Sequence, residues 1–167
     1  MDAIIGATQI LKTEGVQFVI NLYGPLKADV IKKVKIAKVD DVVLFKGEVA
    51  QVELAKAMQQ STALILYSRY ETFGCVIIEA NACGIPVIVS DIEVFKELVQ
   101  DGVNGLLVKQ NNSAALANAL KKFINKKIQF DEQIISDSIH RYDYDFVGKV
   151  FYDLFQECYG ESEDHIT

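Results

Sequence analysis

The chain has 167 residues, 50% of them hydrophobic and 24% charged, with ten Gly and two Pro. That length suits one domain with its own core, and half-apolar content with nine Phe and seven Tyr excludes a disordered chain. The formal charge of −6 is uneven: ten acids against Arg141 and Lys149 lie beyond residue 130, leaving +2 on residues 1–130. No concentrated basic stripe is present, which argues against a nucleic-acid binder.

The longest apolar runs, 63–66 and 85–89, are too short to cross a bilayer. Residues 1–12 lack the basic-then-apolar layout of a signal peptide. An intracellular soluble domain is expected. The three cysteines, Cys75, Cys83 and Cys158, are odd in number and lack metal-ligand spacing, so they read as reduced thiols.

In chain order, Ile4, Ala7, Ile10 and Leu11 fall at helical spacing and predict a helix over 3–13. A β-branched run over 16–22 predicts a strand, followed by a helix over 27–38, a strand over 42–45 and a helix over 51–60. A strand over 62–67, a helix over 74–83, a strand over 86–89 and a helix over 93–100 follow. The series closes on a strand over 105–108 and a helix over 113–125. Gly15, Gly84, Asp101-Gly102 and Asn104-Gly105 mark the stops and turns. Near-continuous apolar strands alternating with helices predict an α/β domain with a right-handed, parallel, doubly covered sheet. The last helical stretch carries Phe146, Val147, Val150, Phe151, Leu154, Phe155 and Tyr159, an apolar face expected to pack into this domain's core. A doubly wound sheet usually begins with a strand, yet this chain opens on a helix, so Met1 is expected to lie inside a longer protein.

One stretch is chemically rich. The strand over 62–67 runs into Ser68-Arg69-Tyr70-Glu71-Thr72-Phe73-Gly74, where a helix opens. Gly74 would let a ligand approach the backbone, and the free N–H groups of Cys75, Val76 and Ile77 would face an anion. Glu71 in the loop and Glu79 one helical turn in can both accept hydrogen bonds from sugar hydroxyls. An alternative stays open, in which Glu71 caps the helix and Glu79 pairs with a surface lysine. The local sequence lacks the ligands a metal site would need.

Residues 68–108 resemble the signature region of the family 4 retaining glycosyltransferases, which have the GT-B fold. The resemblance rests on Glu71-Thr72-Phe73-Gly74, on Glu79-Ala80-Asn81-Ala82-Cys83-Gly84-Ile85-Pro86-Val87-Ile88-Val89-Ser90, and on Glu97-Leu98-Val99-Gln100-Asp101-Gly102-Val103-Asn104-Gly105-Leu106-Leu107-Val108. The two glutamates form an E-x7-E pair. Weaker similarity covers residues 42–47 and the loop Tyr23-Gly24-Pro25-Leu26.

The resemblance implies a Rossmann-like open parallel β-sheet flanked by helices, the C-terminal half of a GT-B enzyme. Residues 2–157 would form the nucleotide-sugar-binding domain and residues 158–167 an acidic, frayed tail. It implies transfer of a sugar from a nucleotide-diphosphate sugar with retained configuration, no cofactor and no required metal. Glu71 would be the catalytic residue, holding hydroxyls of the transferred sugar, and Glu79 would hold the ribose. Thr72, Phe73, Gly74, Cys75 and Val76 would line the donor. Phe45, Lys46 and Gly47 would border the base, and Gly24 would complete the site. The acceptor, a glycan or lipid-linked sugar, would be bound by an N-terminal half outside this chain. The implied location is the cytoplasm or the inner membrane face, with peripheral membrane association of the full-length enzyme.

The family's phosphate-directed Arg and Lys precede the first helix and are not in this sequence. The piece alone is therefore expected to bind donor weakly and to lack transferase activity. Tyr67 stands where the family has Pro, and Thr72 where it has Gly. Rival readings are half of a nucleotide-sugar 2-epimerase, or a non-enzymatic Rossmann-like interaction domain.

Overall fold

The computed structural model describes residues 1–25 and 27–163. Leu26 of the Gly-Pro loop and residues 164–167 of the expected tail lie outside the described residues. Helix α1 (Asp2–Thr13) leads to β1 (Ile20–Tyr23), α2 (Ala28–Ile36), β2 (Val43–Gly47) and α3 (Gln51–Gln59). Then come β3 (Leu64–Leu66), α4 (Cys75–Ala82), β4 (Val87–Ser90), α5 (Glu93–Leu98), β5 (Gly105–Val108) and α6 (Ser113–Ile124). The chain closes with α7 (Glu132–Asp137), a 3-10 turn at His140–Tyr142 and α8 (Tyr144–Glu163). Every expected strand and helix up to α6 is present, with β1 shorter than the apolar run over 16–22.

All strand pairs are parallel, but the ladder is divided. β1 pairs with β2 (Ile20 opposite Val43), while β3, β4 and β5 pair in that order (Leu64 opposite Val87, Val87 opposite Gly105). What unites the two sheets is a common side-chain layer. Ile20 and Val43 of the first sheet and Ile88, Leu106 and Val108 of the second are buried in one cluster with Ile4, Ala7 and Leu11 of α1 and Leu116, Leu120 and Phe123 of α6.

Alternation along β4 shows the layering. Ile88 faces that cluster, whereas Val87 and Val89 face a second one with Ile77, Ala80, Phe95 and Leu98 from α4 and α5. β4 is therefore buried on both faces, as an inner strand of a parallel sheet requires. A Cβ added to Gly105 would stand 2.5 Å from the Val87 carbonyl oxygen, so only glycine lets β5 lie this close to β4.

A buried polar staple joins the helix layer to the sheet. Asn104, 1% exposed, donates from Nδ2 to the Asn81 side-chain oxygen (3.0 Å), the Leu98 carbonyl (2.9 Å) and the Ser138 hydroxyl (3.0 Å). Its own oxygen accepts from the Gln100 N–H at 2.8 Å. Asn81 in turn donates to the carbonyls of Ile85 and Asn104. Among the described residues no buried side-chain polar atom is left without a partner, consistent with the cost of desolvating one.

Two features at the end of the chain depart from expectation. α7 is a six-residue helix capped by Asp131, whose carboxylate accepts from the N–H groups of Gln133 and Ile134. α8 runs from Tyr144 through Glu163. Its apolar face does not enter the core: Phe146 (44%), Val150 (52%), Phe151 (55%), Leu154 (52%) and Phe155 (59%) are exposed. The physical reason is that α8 packs on the 3-10 turn and stands off the two clusters that close the sheets.

Candidate functional site

Glu71–Gly74 follow the carboxyl end of β3, Gly24 follows that of β1, Phe45–Gly47 form the last residues of β2, and Cys75, Val76 and Glu79 lie on α4. The carboxyl ends of the strands are the side on which open α/β sheets present their loops. The chain leaves β3 through Tyr67, Ser68 and Arg69, passes Glu71–Phe73 and turns into α4 at Gly74. Gly74 is the N-cap, at φ 94° and ψ 46°, and no side chain caps the helix. Ile77 donates its N–H to the Gly74 carbonyl at 2.9 Å, which tightens the first turn. Of the three amides expected to face an anion, Ile77's is thus taken. The N–H groups of Cys75 and Val76 have no protein acceptor among the described residues. They are the donors that α4 offers at the positive end of its dipole.

Glycine at position 74 has a structural reason of its own. A Cβ there would meet Phe95 Cε1 at 3.0 Å and Ile77 Cδ1 at 3.2 Å, and the backbone is left-handed. Close packing of α5 and the positive φ both demand glycine.

Glu71 is half-buried and accepts the Thr72 N–H at 3.3 Å. Glu79, the fifth residue of α4, is exposed. Among the described residues neither glutamate takes part in a salt bridge, and neither caps α4. The alternative in which Glu71 is a cap and Glu79 a lysine partner is therefore set aside. Both carboxylates keep acceptor capacity for a ligand.

Phe73 is 41% exposed, and the Tyr142 ring meets it edge-on at 5.8 Å and 76°. Arg141 lies 4.8 Å from the Tyr142 ring centre and donates to the Glu97 carbonyl, fixing the 3-10 turn beside the loop. Tyr142 is a site neighbour that sequence reasoning missed, since it lies far along the chain from Phe73. Thr72 and Cys75 are exposed and Val76 is half-buried. At the exit of β4, Asp91 pairs with Lys96 at 3.2 Å.

The other sequence-assigned residues gather on the first sheet. The Gly24 N–H donates to the Gly47 carbonyl at 2.9 Å, so these two glycines adjoin at the carboxyl ends of β1 and β2. Their φ values, 110° and 73°, lie in the left-handed region, and an added Cβ at either would meet no atom within 4 Å. Lys46 is exposed, while Phe45 turns inward and packs on the core beneath. Among the described residues no hydrogen bond or ion pair joins this group to the Glu71–Glu79 segment.

Cys83 reports on Glu79 chemically. Burial, and then the Glu79 carboxylate, push its thiol above the ordinary value. Because the thiolate is the reacting form, iodoacetamide at pH 8 is expected to label exposed Cys75 well before half-buried Cys83. Glu79→Gln is expected to speed Cys83 labelling, as read by peptide mass spectrometry. Equal rates for both thiols would contradict this account.

No group of three or more His, Cys, Asp or Glu side chains is placed to hold a metal ion among the described residues. No helix there is long and apolar enough to cross a membrane. A cavity of about 260 Å³ bounded by Ser61, Pro86, Phe123, Phe130 and Ile135 lies at the amino ends of β3 and β4 and contains none of the site residues. Thr72, Phe73, Cys75 and Glu79 of the candidate site are all exposed.

Comparison with known proteins gives a consistent answer. The chain is 36% identical over 88 residues to D-inositol 3-phosphate glycosyltransferase of Frankia alni, covering 53% of this chain and 22% of that protein. It is 32% identical over 109 residues to phosphatidyl-myo-inositol mannosyltransferase of Mycobacterium leprae, covering 64% and 29% respectively. It therefore spans less than a third of these relatives. Among solved structures, sucrose-phosphate synthase from Thermosynechococcus elongatus superposes with a TM-score of 0.81 at 22% identity, over 95% of this chain and 43% of that one. Anabaena HepE in complex with UDP-glucose gives 0.77 at 24% identity, over 94% and 45%. These likenesses establish the α/β, Rossmann-like fold. The model for glycosyl transferases group 1 matches residues 1–141, and the chain belongs to that family.

Proposed function

We propose that this chain is the donor-binding half of a retaining glycosyltransferase, which transfers a sugar from a nucleotide-diphosphate sugar to an acceptor. The observation that carries this reading is the pair of glutamates, free of salt bridges among the described residues, beside the outward amides of Cys75 and Val76. Glu71 accepts hydrogen bonds from the transferred sugar and Glu79 from the ribose. Charge builds on the departing diphosphate, and fixed amides at a helix start stabilise it without reorganising. Phe73 and Thr72 border the sugar, while Lys46, Gly47, Gly24 and the backbone at Phe45 border the base.

HepE, solved with UDP and with UDP-glucose, shares this fold and lends support to a nucleotide-sugar ligand. The reaction needs no metal in this reading. The acceptor, a glycan or lipid-linked sugar, is held by the remainder of a longer protein, which works in the cytoplasm or at its membrane face. The test is calorimetric titration of the full-length protein with UDP and GDP, followed by donor hydrolysis. Saturable binding of one of them supports the reading. A protein that binds inorganic phosphate equally well and ignores the ribose would refute it.

A further inference from the structure

The loop that carries Glu71 is tied down just before it reaches that residue. The Tyr67 hydroxyl donates to the Lys109 carbonyl and accepts from the Asn112 N–H at 3.4 Å. The buried Ser90 hydroxyl, at the end of β4, donates to the Ser68 carbonyl. Arg69 Nε donates to the Asn111 side-chain oxygen at 3.0 Å. Three successive residues are therefore held, two of them by the segment 109–112 that follows β5. That segment is itself anchored, because Asn112 caps α6 by accepting from the Ala115 N–H at 2.9 Å. Asn111 has φ 52°, a left-handed conformation that asparagine tolerates better than most residues and that sets its side chain for Arg69.

We propose that Tyr67, Arg69 and Asn111 are positioning residues, through which segment 109–112 aims Glu71 at the transferred sugar. The proposal rests on the reading of Glu71 as the sugar-hydroxyl acceptor. Between Arg69 and Glu71 stands only Tyr70, 80% exposed, so a shift of Arg69 passes to Glu71 with little to absorb it. Tyr67 occupies the place of the proline in the resembled motif. Its hydroxyl bonds supply by tertiary contact the restraint that a proline ring would supply by fixing φ. Nucleotide contacts made by Glu79 and the α4 amides lie on the far side of Gly74, and the three-residue clamp leaves them in place.

The test uses the full-length enzyme with four variants: Tyr67→Phe, Arg69→Met, Asn111→Gly and Asn111→Asp. Asn111→Gly keeps the positive φ accessible while deleting the acceptor, and Asn111→Asp keeps an acceptor for Arg69. Misplacing a reacting geometry by an ångström can cost about 100-fold. We therefore expect kcat to fall about 5- to 50-fold in the first three variants, with UDP affinity within about twofold of wild type and unchanged melting temperature. Asn111→Asp is expected to restore most of the lost kcat. Unchanged kcat in Asn111→Gly and Tyr67→Phe overturns the proposal, as does parallel loss of kcat, UDP affinity and melting temperature, which marks a structural role. Failure of the underlying reading looks different: the wild-type protein binds no nucleotide, or Glu71→Ala transfers normally, and the proposal falls with it.

Discussion

In the full-length protein, Glu79→Ala is expected to weaken UDP or GDP binding about 10- to 150-fold, the range set by losing hydrogen bonds to a charged acceptor at ~1.5–3 kcal/mol. Glu71→Ala is expected to do the reverse: nucleotide affinity stays within about threefold, and transfer falls about 100-fold or more. The split follows from geometry, since Glu79 rides on α4 while Glu71 sits in the preceding loop. Both substitutions should leave the fold intact. Glu79 is exposed on a helix, where alanine is the best helix former, and neither glutamate holds a salt bridge among the described residues. Melting curves run beside the kinetics make the point secure. If both variants bind nucleotide and turn over like wild type, the two carboxylates do not grip the donor.

Asn104→Ala is expected to cost about 2–4 kcal/mol of stability, because one truncation orphans several buried groups at once. It removes the donor to Asn81, Leu98 and Ser138 and the acceptor for Gln100. For a chain of this size that corresponds to a fall in melting temperature of roughly 5–15 °C. Urea unfolding of the 167-residue chain, with an unchanged m-value, is the measurement. A loss below about 1 kcal/mol would mean that water enters and replaces the staple.

What could be read from the sequence, and what could not, divides along a physical line. β5 was legible to the residue because Asn104-Gly105 punctuates its start and an apolar run fills it. The apolar run over 16–22 predicts one strand, yet pairing begins only at Ile20, where Val43 lies opposite; apolarity marks burial, and a strand also needs a partner. α7 has no counterpart among the predicted elements, although Asp131 caps it and Ile135 is buried, because six residues are too few for periodicity to stand out. The α8 face is apolar by its spacing yet exposed in the structure, since spacing shows that a face is apolar without showing what covers it.

At the site, Glu71 through Glu79 were legible because they are contiguous, and a loop and a helix start have local signals. The partners that shape this segment come from elsewhere in the chain: Asn111 for Arg69, Lys109 for Tyr67, Tyr142 for Phe73 and Phe95 behind Gly74. None of these pairs leaves a mark at fixed spacing. They exist because parallel strands bring their carboxyl ends together.

The division of the strands into a pair and a trio bears on how the molecule unfolds. Among the described residues no backbone rung crosses from β1 to the strands of the trio, so cooperativity between the two ladders is carried by side chains: those of Ile20 and Val43, of Ile88, Leu106 and Val108, and of α1 and α6 around them. A cavity at Leu11 or Leu116, both fully buried in that layer, would weaken the coupling and let local opening of one ladder proceed more independently of the other.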